Sequence, residues 1–185
     1  GFVNEWDRLD RVLTWLAGCP RRHEVHLLVV GDGPVRAALE AQARDAGIAG
    51  HLTFTGVVAR VDVPRLAAAF DVALQMALVP FASPLCLFEY MALGKAIVAP
   101  DQPNHHEILR VGVDALLYDP DDTADLERKI EAAVADPALR ERLGAEARRT
   151  LHERGYTWRA NASRVVEEIT AVQRASRGLR GSTTA

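Results

Sequence analysis

The sequence predicts a doubly wound α/β domain, a parallel β-sheet covered by helices on both faces. Three observations carry that prediction. Short runs of Val, Ile, Leu and Ala alternate with amphipathic stretches along the chain. The runs lack the polar alternation of a half-exposed strand, which is the signature of strands buried on both faces. Gly or Pro marks many of the changes from one kind of stretch to the other. The chain has 185 residues, 49% hydrophobic and 25% charged, enough for one domain with a sizeable core.

The elements follow in order. Residues 25–30 (VHLLVV) form a strand that stops at Gly31. A helix follows Pro34, where Val35, Leu39, Ala43 and Ala46 recur at helical spacing until Gly47. Residues 51–55 (HLTFT) form a second strand, stopped by Gly56. Asp62 caps a helix with Pro64 in its first turn, and Leu66 to Phe70 continue it. Residues 71–76 (DVALQM) form a third strand, and a loop then leads to Ser83 and Pro84, which open a helix ending at Gly94. Residues 96–99 and 114–118 form two more strands. Helices are expected over about 123–135, 137–154 and 158–174. The whole reads as a Rossmann-like domain, whose ligands sit at the carboxyl ends of the strands.

Composition excludes several classes. Lys and Arg number 22 against 25 Asp and Glu, a net charge of −3, which argues against nucleic acid or an anionic membrane as a general partner. The Arg residues of the last helices read as a solvated face. Cys19 and Cys86 are far apart and form no CxxC pair, so neither a disulfide scaffold nor a zinc site is expected, and a reducing, cytoplasmic setting fits. No apolar run approaches the ~20 residues that span a bilayer.

Three motifs could carry chemistry. In Gly31-Asp32-Gly33-Pro34 the glycines allow a tight turn and close backbone approach to a ligand. The spacing is not GxGxxG, and a turn with no ligand contact is an equal reading. A dinucleotide oxidoreductase is the weakest assignment for the same reason. In Ser83-Pro84-Leu85-Cys86-Leu87-Phe88-Glu89-Tyr90-Met91 a helix starts beyond a strand, with Ser83 expected as N-cap and Pro84 at the first helical position. Its free N–H groups and positive dipole end suit a diphosphate. Glu89 lies in an otherwise apolar helix, where a lone carboxylate is costly to bury. Two readings stand for it: a partner for a ribose diol, or a solvated or backbone-bound side chain. Asn104-His105-His106-Glu107 could suggest a metal. Adjacent side chains diverge on a helix, however, and no third His or Cys is spaced to close a site, so no metal is expected.

The ordered set GDGP, LTFTGVV, FDVALQM, SPLCLFEYMALGKAIVAPD, HHEILRVGVDALLYDPDD, LERKIEAAVADPALRERLGAEAR and YTW resembles the C-terminal domain of the retaining glycosyltransferases called family 4 or group 1. The resemblance runs from Gly1 to about Val172. It implies the C-terminal half of a GT-B fold, a donor-binding domain over 1–175 that lacks its first strand and its N-terminal acceptor domain; the polar, Gly-rich end over 176–185 reads by composition as a flexible tail. It implies glycosyl transfer from a nucleotide diphosphate sugar to a hydroxyl acceptor, retaining in the family's manner, with neither cofactor nor metal. It gives roles to particular positions: Glu89 to the ribose, Ser83, Pro84, Leu85 and Cys86 to the diphosphate, Val57 and Val58 to the base. Arg8 stands near the family's phosphate-binding Lys, with Asp7 the competing match by one residue. Gly31 and Gly33 match a family turn more structural than catalytic. No catalytic residue is assigned in this half. Contact with a membrane is expected only through the missing regions, peripheral to the inner face.

The departures from the family pattern define the alternatives. Phe81 stands where the first glutamate of the family's pair would fall. A subgroup with SPLKLFEYMA also lacks that glutamate, and its Lys is Cys86 here. Phe2 replaces an Arg that usually follows the opening glycine, which leaves Arg8 and Lys95 as candidate phosphate partners. A non-catalytic binding or interaction module and a nucleotide-sugar epimerase are the rival readings.

Overall fold

The structure, a computed structural model, describes residues 1–76, 79, 81 and 83–181, with the backbone alone for 175–181. Two compact units make up the chain, Gly1–Arg148 and Arg149–Ala185; the expected domain over 1–175 straddles both.

In the first unit the elements run α1 (Leu9–Gly18), β1 (Leu27–Val29), α2 (Arg36–Asp45), β2 (Leu52–Phe54), α3 (Val63–Ala67), β3 (Val72–Leu74), α4 (Leu85–Ala92), β4 (Ala96–Pro100), α5 (Pro103–His106), β5 (Leu116–Tyr118), α6 (Thr123–Ala135) and most of α7 (Pro137–Glu153). Every expected strand is present, shorter at its ends than its apolar run in four of the five cases. The helix α1 is the element the patterning did not single out, although Val12, Leu13, Trp15 and Leu16 are all buried on one face of it.

All strand pairs are parallel. The strands form two sheets, β1-β2 and β3-β4-β5, rather than one continuous sheet. The reason is local: no strand among the described residues lies between β1 and β3. All five residues of β4 are buried, as the middle strand of its sheet requires. The main core joins α1, α6 and both sheets through Val12, Leu13, Leu16, Val29, Val98, Tyr118 and Ile130.

The helix α4 shows how sequence sets the site. Leu87 and Met91, four apart, are fully buried and dock the helix on β4. Gly94 stops it with φ of 64°, and the Gly94 and Lys95 N–H groups return to Met91 and Tyr90 carbonyls at 3.0 Å. The start differs from the expected one. Pro84 occupies the N-cap, no side chain caps the helix, and the Leu85 N–H bonds the Ser83 carbonyl at 2.9 Å. The Ser83 hydroxyl is thus displaced from capping because the turn bends one residue later.

The second unit holds the end of α7 and α8 (Trp158–Gly181), joined through Gly155 at φ of 61°. The backbone of α8 continues past Arg174 to Gly181, so part of the expected tail is helical; residues 182–185 lie outside the described residues. Val165, Val166, Ile169 and Val172 form an exposed apolar stripe on α8.

Candidate functional site

A cavity of about 1060 Å³ runs along β1 and β3, between the two sheets, and reaches their carboxyl ends. Its mouth is built by Ser83, Pro84, Leu85, Cys86, Glu89 and Asn104, with Asp7 and Gln75 beside them. The α4 N-terminus brings the positive end of its dipole here, although the Leu85 and Leu87 N–H groups are taken by the Ser83 and Pro84 carbonyls. Glu89 lines the cavity from the second turn of α4 and is exposed. The burial cost inferred from its apolar neighbours therefore does not arise, because α4 turns Glu89 away from the Leu87–Met91 face.

Cys86 is held against the end of β3. Its Sγ donates to Gln75 Oε1 at 2.7 Å. Burial pushes the thiol up to about 11, so it is a neutral thiol at physiological pH. It is neither a cation nor a thiolate nucleophile. Gln75 escaped the sequence reading; the signal available was a polar residue closing the apolar run DVAL.

The two candidates at positions 7 and 8 separate. Arg8 sits at φ of 47°, the left-handed region, as it leads into α1. Its guanidinium makes two 3.1 Å hydrogen bonds to the Asp10 carboxylate. Asp7, not Arg8, lines the cavity. Burial raises the Asp7 carboxyl above its ordinary range, partly offset by the Asn4 N–H bonded to Oδ2 at 2.7 Å. Lys95 donates to the Ala68 carbonyl at 2.7 Å behind α3 and does not line the cavity. Among the described residues, the side-chain cations lining the cavity are Arg21 and Arg140, both away from the α4 start: Arg21 pairs with Glu24 and Arg140 with the Ala133 and Val134 carbonyls at the end of α6.

The glycine turn is occupied by protein. A Cβ on Gly33 would lie 1.9 Å from the Val3 carbonyl oxygen, and one on Gly31, at φ of 143°, 1.8 Å from that of Gly1. The Gly31 N–H bonds Thr55 Oγ1 at 3.1 Å. These glycines make room for the Gly1–Val3 backbone. Gly33 does not line the cavity, and neither do Val57, which is 90% exposed, or Val58.

Within Asn104-His105-His106-Glu107 the side chains do diverge. Asn104 Nδ2 donates to the Val79 carbonyl at 3.2 Å, and His106 Nε2 meets Asp101 Oδ1. His105 is fully buried, and neither ring nitrogen has a hydrogen-bond partner among the described residues. No group of three or more His, Cys, Asp or Glu among the described residues could hold a metal.

Burial, reinforced by neighbouring His106 and opposed by Asp101, lowers His105 to about 4. The unfolded chain therefore takes up this proton near the ordinary pKa of ~6.5, before the folded chain does. Above about pH 6.5 this group contributes no pH dependence. Between about 6.5 and 4 it destabilises the fold as pH falls, with a slope of at most ~1.4 kcal/mol per pH unit. Urea unfolding across that window should show the slope in the parent chain and its loss in His105→Gln. An identical pH profile in the two would refute the assignment.

Comparison with known proteins follows the same outline. A family model for glycosyl transferases group 1 matches residues 2–150. The chain belongs to that family. It is 31% identical to the 2-deoxystreptamine glucosyltransferase of Streptomyces kanamyceticus over 144 residues, 75% of this chain and 36% of the relative. Among solved structures it resembles Anabaena HepE in complex with UDP, with a TM-score of 0.82 at 22% identity, covering 92% of this chain and 47% of that one. It also resembles WaaG, a glycosyltransferase involved in lipopolysaccharide biosynthesis, with a TM-score of 0.67 at 26% identity, covering 78% and 39%. The group 1 chain thus spans less than half the length of each of these three. Its fold is that of the C-terminal half of a GT-B glycosyltransferase. Among the described residues no helix is long and apolar enough to cross a membrane.

Proposed function

We propose that this group 1 chain is the donor-binding half of a glycosyltransferase that moves a sugar from a nucleotide diphosphate sugar to a hydroxyl acceptor. Retention of anomeric configuration, independence of metal, a partner acceptor domain and a cytoplasmic location belong to the same proposal. So does membership of the SPLKLFEYMA-like subgroup, and so does inactivity of this half alone. The observation that carries it is the cavity mouth at the strand ends, where the α4 start and Glu89 meet. In this reading the Leu85 and Cys86 end of α4 faces the diphosphate, and its dipole stabilises charge on the leaving group. Glu89 accepts hydrogen bonds from the two ribose hydroxyls. Val57 and Val58 would meet the base through their backbone, from just outside the cavity. UDP appears with HepE, which makes UDP-sugars the first donors to try; the relatives' roles in glycoside and lipopolysaccharide synthesis point to a carbohydrate or glycolipid acceptor.

The test is calorimetric titration of the chain with UDP-, GDP- and ADP-sugars. Glu89→Ala should weaken the best of them by ~1–3 kcal/mol, the scale of lost charge-assisted hydrogen bonds. Equal affinity in parent and variant would remove Glu89 from the ribose.

One set of observations favours a second reading, a binding module without transfer activity. Phe81 and Phe2 are 91% and 72% exposed, the Cys86 thiol is neutral, and Asp7 brings a carboxylate to the mouth. Binding of a nucleotide-sugar with no transfer or hydrolysis by the full-length protein would establish it. An isomerised sugar formed without acceptor would point to an epimerase instead.

A further inference from the structure

The strand β3 ends at Leu74, and the next residue, Gln75, brings a polar side chain to the cavity from an otherwise apolar run. Its backbone is fixed, because the Gln75 N–H donates to the Val98 carbonyl of β4 at 2.9 Å. Its side chain is fixed as well, because Oε1 accepts from Cys86 Sγ at 2.7 Å. The residue is only 8% exposed. Its Nε2 has no acceptor among the described residues and is not sealed off from the cavity that Gln75 lines. An amide this deeply buried, with two unused N–H donors, is costly unless something accepts from them.

Cys86 decides which end of the amide faces the cavity. Sulfur is a weak acceptor, so an amide turned the other way would give up the bond onto Oε1 for a poor one from Nε2. Burial, reinforced by the charge of Glu89, pushes the thiol up to about 11, so its proton stays in place at physiological pH. The surroundings narrow what Nε2 donates to. Cys86 stands in the first turn of α4, which sets the amide against the positive end of the helix dipole. Among the described residues, the side-chain cations lining the cavity, Arg21 and Arg140, are engaged with Glu24 and with the Ala133 and Val134 carbonyls. Asp7 and Glu89 add negative charge to the same cavity. An anion held at the α4 start therefore depends on the dipole and on neutral donors rather than on a salt bridge.

We propose that Gln75 is a specificity-determining residue of the donor site, its Nε2 donating to an anionic oxygen of the diphosphate at the α4 start, and that Cys86 is the positioning residue that holds the amide in this sense. A neutral N–H donor on a charged oxygen makes one of the stronger hydrogen bonds available to a protein, so the pair takes over part of the task of a cation. The inference rests on the donor-binding reading and adds to it a residue from outside the SPLCLFEYMALGK segment. Its consequence is that the diphosphate, and not the nucleoside, senses both side chains.

The experiment is an NMR titration of the chain with UDP, GDP and ADP, the tightest of them then compared with its own nucleoside. Gln75→Met, which keeps the length and removes the amide, should weaken the diphosphate by about 10-fold or more and leave the nucleoside unchanged. Cys86→Val, which lacks the donor, should weaken the diphosphate by a smaller factor, and Cys86→Ser, which returns a donor, should recover most of that loss. In the parent chain the Gln75 side-chain NH2 resonances should move with the diphosphate and not with the nucleoside. Equal diphosphate affinity in a folded Gln75→Met would overturn the proposal. So would an equal loss for diphosphate and nucleoside, which is what a merely structural role gives. If Gln75→Met does not fold, the parent resonances decide, and NH2 signals that ignore the diphosphate overturn the contact. Cys86→Ser no better than Cys86→Val would remove the positioning role. A parent chain that binds none of the three diphosphates would sink the donor-binding reading itself, and this inference with it.

Discussion

Gly33→Ala should destabilise the first unit by about 3 kcal/mol, at the upper end of overpacking costs. The added Cβ would meet the Val3 carbonyl oxygen at 1.9 Å and the Val3 backbone N and C at 2.7 Å. All three are backbone atoms, so no side chain can swing aside. Relief requires the Gly1–Val3 segment to move off the turn, which breaks the Val3 to Asp32 hydrogen bond and draws Val3 out of the core, where it is 6% exposed. Urea unfolding of parent and variant, followed by fluorescence of buried Trp15, measures the loss. The result also separates the two readings of the glycine turn. A turn that packs on its own chain loses stability without any ligand. A turn that approaches a ligand keeps its stability and loses nucleotide affinity. An unchanged urea midpoint with weakened binding would reverse the structural assignment made here.

The strands were legible because their runs are largely apolar and two of them are followed by a glycine at positive φ, Gly31 after β1 and Gly56 after β2. The break between the sheets was not, since nothing in VHLLVV or DVALQM tells which neighbour an edge lacks. At the site, the SPLCLFEYMALGK segment was placed correctly as a helix at a strand end. The orientation of Glu89 was not readable: neighbours one residue apart on a helix face different ways, so apolar flanks at Phe88 and Met91 do not fix exposure. Arg8 misled for a related reason. Its charge suggested a phosphate partner, but the left-handed backbone at Arg8 hands the side chain to Asp10 and leaves Asp7 on the cavity wall. Gln75 and the Gly1–Val3 ladder are tertiary facts, with no local period to announce them.

Arg110→Met should cost about 3–5 kcal/mol, more than Gly33→Ala. The Asp114 side chain is 0% exposed, and Arg110 meets it twice, with Nε at 2.9 Å from Oδ2 and the backbone N–H at 2.6 Å from Oδ1. Arg110 Nη2 also lies 3.6 Å from the Glu146 carboxylate on α7. Methionine keeps the length and the backbone N–H but removes the cation, so a buried carboxylate loses its guanidinium. Contrast Arg149 and Glu153, 3.1 Å apart but each 53% exposed, where loss of the pair should cost only ~0.3–0.5 kcal/mol. The turn from Arg110 to Asp114 launches β5, which pairs with β4, and the end of β4 leads to Asn104 at the cavity. The substitution should therefore act on the site through the population of folded protein, with the intrinsic affinity of that population intact. In practice the urea midpoint of Arg110→Met should fall sharply, while calorimetry at low temperature returns a reduced number of sites at unchanged Kd. Adding Asp114→Leu should recover much of the lost stability, because the stranded charge goes with it. A midpoint that barely moves, or a double variant no better than the single, would show that Asp114 finds its compensation elsewhere.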